Sequence, residues 1–142
     1  MGGGELRHRQ FQAQVTSLNL TGSQLDAPSC AALCFALRQN TKLHVLHLAN
    51  NTLGTHGVTP VADLLAGECA LRELDLAGNH LGAGGAQALA KALAKAPSSR
   101  LRVLDLRRNS SSRHHARATR VREAADSVCW GLLSIRREFD AS

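Results

Sequence analysis

Residues 71–93 read LRELDLAGNHLGAGGAQALAKAL, and the apolar period changes halfway along. In the first half Leu71, Leu74 and Leu76 are separated by Arg72, Glu73 and Asp75. That spacing predicts a strand with one set of side chains inward and the other toward solvent. In the second half Ala86, Leu89, Ala90 and Leu93 share one face at 3.6 residues per turn, with Gln87, Lys91 and Lys95 pointing away, which predicts a helix. Gly78, Gly82, Gly84 and Gly85 are expected to make the sharp turns between the two elements. Neither element is large enough to bury its apolar face alone, so the stretch calls for neighbours of the same kind.

The neighbours are in the chain. VTSLNLTGSQLDAPSCAALCFAL starts at Val15, LHVLHLANNTLGTHGVTPVADLL at Leu43 and LRVLDLRRNS at Leu101. With the Leu71 start, the units are 28, 28 and 30 residues apart. In register, Leu18, Leu46, Leu74 and Leu104 form one column and Leu20, Leu48, Leu76 and Leu106 a second. A third column, Leu25, Leu53 and Leu81, stops at Ser111. The helical halves align as well: Leu33 with Val61 and Leu89, and Leu37 with Leu65 and Leu93. A fixed period of this length marks a stacked repeat architecture.

The columns spell LxxLxLxxNxL from about Val15 to Asn109 and resemble leucine-rich repeats, with units similar to the ribonuclease-inhibitor-like subclass. Similar units occur in NOD-like receptors and in the Ran GTPase-activating protein. The resemblance implies an α/β solenoid, a short horseshoe with a parallel inner sheet and outer helices. Fold does not by itself imply function. Asn51, Asn79 and Asn109 fall just after each strand, where an amide can satisfy backbone groups left unpaired by the turn; Ser23 holds that place in the first unit.

Composition fits one repeat domain. The chain has 142 residues, only 3% aromatic and no tyrosine, so the core must be built of leucine and alanine. A solenoid suits this, because each repeat packs only on its neighbours. No apolar run has the length of a signal peptide or a membrane span. The MGGG opening lacks the Ser or Thr that myristoylation requires at position 6, which is Leu6. Four cysteines do not make a disulfide scaffold. Cys30 aligns with Val58 and Ala86, and Cys34 with Ala62 and Ala90, so both are expected to fill space between helices. The sequence thus reads as that of an intracellular, cytoplasmic protein.

Side chains between the strand leucines should line the inner sheet. The columns are Thr16, His44, Arg72, Arg102; Ser17, Val45, Glu73, Val103; and Asn19, His47, Asp75, Asp105. A rigid face of mixed charge suits recognition of another protein. The candidate partner-binding residues are therefore His44, His47, Arg72, Glu73, Asp75, Arg102 and Asp105, with Thr21, Asn50, Arg107 and Arg108 on the adjoining turns. Taken singly, each could equally be a solvating residue of the sheet. Asp75 and Asp105 should be neighbours, with Arg72 and Arg102 balancing their charge. No nucleophile, acid–base or metal-ligand constellation is present, and no cofactor is implied. LGAGGA lacks the GKS or GKT ending of a phosphate loop.

The end of the chain differs. Residues 1–99 carry seven Lys/Arg against six Asp/Glu, whereas residues 100–142 carry ten against five. Residues 1–14 read as a flank or partial cap, with Phe11 over the first strand; 15–109 as the repeats; 110–120 as a basic Ser/Arg/His linker. Within 121–142, Val121, Ala125, Val128, Leu132, Ile135 and Phe139 are spaced as one face of an amphipathic helix, expected to cap the Leu104 and Leu106 layer. Two other readings of this end stay open: a foreign C-terminus that truncates a longer leucine-rich repeat regulator, and a basic helix for membranes or partner helices.

The leading expectation is a non-enzymatic protein-interaction module. Arg107, Arg108, Arg113, Arg117, Arg120 and Arg122 support a second, contact with nucleic acid or another acidic surface, although stacking aromatics are absent. A third, an accessory to a GTPase, rests on the resemblance to the Ran GTPase-activating protein. That family ends in a strongly acidic region, and this chain ends basic.

Overall fold

The computed structural model describes residues 15–67, 69–96 and 100–109, together with the backbone of 134–136. Each unit begins with a three-residue strand: β1 (Ser17–Asn19), β2 (Val45–His47), β3 (Glu73–Asp75) and β4 (Val103–Asp105). Three helices follow the first three strands: α1 (Ala27–Leu37), α2 (Gly54–Ala66) and α3 (Gly82–Lys95). The strands pair in parallel and in sequence order, and the helices pack side by side as an outer layer.

The register aligns Leu18, Leu46, Leu74 and Leu104 directly. Leu46, Leu48, Leu71, Leu74, Leu76 and Leu81 are fully buried between sheet and helices, so the core is a row of leucine layers running along the stack. Each such side chain contributes about 1.5–3 kcal/mol by leaving water. The first layer is thinner, with Leu18, Leu20, Leu25 and Leu33 only partly buried.

Asparagine fastens the layers. Asn51 Nδ2 donates to Leu48 O within its own unit and to Leu20 O in the unit before, while its Oδ1 accepts from Leu25 N. Asn79 Nδ2 donates to Leu76 O and Leu48 O, and Asn109 Nδ2 to Leu106 O and Leu76 O. The mechanical role expected of this column is thus present in all three asparagines. Asn40 adds a further tie by donating to Val15 O at 3.0 Å.

Two of the glycines expected in turns act otherwise. Gly78 and Gly82 do adopt the left-handed region, with φ of 65° and 61°. Gly84 and Gly85 lie inside the first turns of α3, where they let that helix approach α2. A Cβ on Gly85 would sit 2.9 Å from Val58 Cγ1 and 3.0 Å from Leu81 Cβ. The buried face of α3 is Gly85, Leu89, Ala92 and Leu93, rotated from the expected Ala86–Leu89–Ala90–Leu93 face, and Gly84 and Gly85 lie against Thr55 and Val58 of α2.

At the C-terminal side a fifth parallel strand, β5 (Ser134–Arg136), pairs with β4 and sets Ile135 in register with Leu104. At Ser134–Arg136 this replaces the helix expected over 121–142. A short apolar run fits either period, and the open edge of β4 offers backbone partners that a helix would leave unmet. The remainder of 121–142, the 110–120 linker and the 1–14 flank lie outside the described residues.

Candidate protein-binding face

The turn after each strand explains much of the inner face. Asn19 Oδ1 accepts from Thr21 N, Asp75 Oδ1 from Ala77 N and Asp105 Oδ1 from Arg107 N, at 2.9–3.1 Å. One register column, Asn19–His47–Asp75–Asp105, therefore doubles as a set of turn caps, and only His47 breaks it. Local bonds two residues on are what short Asn and Asp side chains make best.

His47 has another partner: its Nε2 lies 2.9 Å from Glu73 Oε1 on the next strand, both side chains being partly exposed. Asp105 is only 6% exposed. Arg107 grips it through Nε, 3.0 Å from both carboxylate oxygens, and through Nη2 at 2.6 Å from Oδ2. The charge balance expected from Arg72 and Arg102 is supplied at Asp105 by Arg107, which the turn brings back over the strand end. The fork of donors on a guanidinium matches a carboxylate at two points.

His44, Arg72 and Arg102 enter the sheet from just before their strands. Arg72 N donates to His44 O and Arg102 N to Arg72 O, each at 2.8 Å, so the three residues stand on successive rungs. Both arginines are exposed and His44 is half-buried. Rungs of a sheet lie about 4.8 Å apart, so this edge concentrates positive charge next to the half-buried Val45 and Val103.

The structure thus brings His44, His47, Arg72, Glu73, Asp75, Arg102 and Asp105 together on one sheet, but with divided roles. His47 and Glu73 bond to each other, Asp75 and Asp105 hold turns, and Arg72 and Arg102 are exposed beside the half-buried His44. Of the basic group, Arg107 is tied to Asp105 and Arg108 is exposed; Arg113, Arg117, Arg120 and Arg122 lie outside the described residues. Sequence reasoning missed that Arg108 takes a left-handed backbone, φ 57°, at the register position held by Gly22, Asn50 and Gly78. The glycine and asparagine in that column were the available signal.

Cys30 and Cys34 are buried in α1, as their columns predict. The hydrogen bond with Cys30, then burial, pushes the Cys34 thiol far above its ordinary value, while the same contact lowers Cys30. Among the described residues there is no group of three or more side chains able to hold a metal ion, and no helix is long and apolar enough to cross a membrane.

Residues 39–62 and 69–90 match the family described as Leucine Rich repeat. NACHT, LRR and PYD domains-containing protein 5 of Bos taurus is 35% identical over 97 residues, which is 68% of this chain and 9% of that protein. Tonsoku-like protein is 34% identical over 95 residues in Mus musculus and 36% over 95 in Bos taurus, in each case 65% of this chain and 7% of that protein. The chain therefore spans less than a tenth of the length of these curated relatives. A solved structure titled Leiomodin-1 Actin-Binding Site 2 (ABS2) superimposes over 94% of this chain and 78% of its own, with a TM-score of 0.74 at 19% identity. That likeness is one of fold.

Proposed function

This chain is a leucine-rich repeat protein, and we propose that it is a non-enzymatic interaction module that grips a protein partner by its inner sheet face. Leucine-rich repeats generally serve protein–protein interaction, which supports the reading at its coarser level. The observation that carries the finer one is the division of labour on the sheet. Neighbouring polar side chains are engaged in the His47–Glu73 and Asp105–Arg107 pairs, whereas Arg72 and Arg102 stand exposed on adjacent rungs. Exposed arginines on a rigid support, flanked by Val45 and Val103, suit a partner presenting carboxylates beside an apolar patch.

The test is affinity capture with the intact chain and with an Arg72→Glu/Arg102→Glu variant. Neither side chain supports the fold, so circular dichroism should be unchanged while captured partner falls about tenfold or more. Undiminished capture would place the contact elsewhere. Actin is a defined first ligand to try, since the structurally similar leiomodin-1 fragment is titled an actin-binding site. Cosedimentation with filaments would show whether that partner extends to this chain.

A further inference from the structure

The strands begin at a basic edge. His44 N donates to Thr16 O, Arg72 N to His44 O and Arg102 N to Arg72 O, each at 2.8 Å, so these residues form one file across the stack. Lys42 and Arg100 stand two residues earlier in the second and fourth units. Lys42, Arg72, Arg100 and Arg102 are all exposed, and among the described residues none of them is in an ion pair. No acidic residue occurs in 38–45, 69–72 or 100–104. Beyond the basic file lies a half-buried one, Val45, Glu73 and Val103, and beyond that His47, Asp75 and Asp105.

Two dimensions limit what fits. From His44 to His47 the sheet is about 10 Å wide, at about 3.3 Å per residue, which is the diameter of one α-helix. Along the stack the rungs are about 4.8 Å apart, so His44 and Arg102 are separated by about 9.6 Å. On a helix laid across the strands, positions i+3 or i+4 lie about 4.5–6 Å beyond position i, and i+7 about 10.5 Å beyond it. An extended segment presents same-side residues about 6.8 Å apart, reaches about 13.6 Å at the third, and falls out of step. A chain of phosphates fits poorly, because Glu73 and Asp75 share the sheet and its described strands carry no aromatic side chain for bases to stack on.

Resting on the inner-face reading above, we propose that the element of the partner bound here is an acidic amphipathic helix lying across the strands. Its carboxylates at i, at i+3 or i+4, and at i+7 meet Arg102, then Arg72, then Lys42 and His44. The adjoining stripe of the helix is apolar and covers Val45 and Val103. Each guanidinium offers a fork of donors to one carboxylate, which fixes the helix in register along the stack.

Two displayed libraries panned on the intact chain test this, one a helical scaffold with a randomised face and the other unstructured peptides of the same length. The expected binders come from the helical library and carry Asp or Glu at that spacing. They should lose affinity about tenfold or more on Arg72→Glu/Arg102→Glu, with the circular dichroism of the chain unchanged. Lysine at the same positions of the binder should restore affinity for that variant. A selection yielding no such acidic helix would overturn the proposal. Acidic binders drawn equally from the unstructured library would also overturn it, while leaving the inner face as the contact. Tighter binding of a single-stranded oligonucleotide than of the selected helices would overturn it in favour of nucleic acid. Binders indifferent to Arg72→Glu/Arg102→Glu would overturn the helix and the inner-face reading together.

Discussion

Asn109 lies 30 residues beyond Asn79 and closes on it, its Oδ1 accepting the Asn79 backbone N–H at 2.8 Å. Asn79 in turn donates back to Leu48 O at 2.8 Å. One amide per unit thereby joins three consecutive repeats through groups that no water can reach.

Removing the middle link should be severe. Asn79 is fully buried, and its Nδ2 shares the Leu48 carbonyl with Asn51 and the Leu76 carbonyl with Asn109. Asn79→Ala removes one of the two side-chain donors from each and is expected to lower stability by about 2 kcal/mol. Urea unfolding followed by circular dichroism measures the shift in midpoint. A change below half that size would mean the ladder is ornamental.

Gly85 sets how closely α3 meets α2. Gly85→Ala should destabilise by about 1–3 kcal/mol, because the added methyl meets Val58 Cγ1 and Leu81 Cβ. Adding Val58→Ala removes one of those atoms and should recover part of the loss relative to the sum of the two single changes. Strict additivity in a double-mutant cycle would show that the two positions do not touch.

Arg108 pays a backbone cost that the corresponding Gly22 and Gly78 avoid. Arg108→Gly should raise stability by about 0.5–1 kcal/mol, the relief of the left-handed strain less the extra freedom of an unfolded glycine. If the same variant also loses partner capture, the strain is retained for contact at the turn.

Acid should loosen α1 through its cap. Hydrogen bonds from the Ser29 hydroxyl and backbone N–H hold the Asp26 carboxyl below its ordinary value of 3.8. A lowered folded value means the contribution is present above that pH and fades as the pH falls through and below it. Asp26→Asn should therefore flatten the acid limb of the stability profile, and an unaltered limb would assign acid sensitivity to other carboxylates.

Thiol accessibility separates the cysteines. Cys69 is partly exposed and should react with a maleimide in the native chain, whereas Cys30 and Cys34 should react only on unfolding. Mass mapping after brief labelling reads this directly. Native labelling at Cys34 would contradict its place in the core.

The leucine and asparagine columns were legible because their chemistry repeats at a fixed interval and each position admits few residue types. Leu46, Leu74 and Leu104 could be set in register by counting alone. The inner face was legible as a location but not in its roles. Asp75 and Asp105 looked like surface charges, and only the turn that follows them reveals that each caps a backbone N–H. Arg107 was grouped with a basic tail because sequence distance does not show that a turn folds it back onto Asp105. Gly85 was read as a turn residue because glycine serves both turning and close approach, and only the position of Val58 distinguishes them. At Ser134–Arg136 the apolar spacing allowed helix or strand, and the unpaired edge of β4 decided it.

The central claim is that the inner sheet, rather than the helix layer, meets the partner. Site-specific photo-crosslinking tests it, with a photoreactive residue at Val45 on the sheet and, separately, at the exposed Lys91 on α3. The account predicts a crosslinked partner band from position 45 and none from position 91. Equal or stronger crosslinking from position 91 would contradict it.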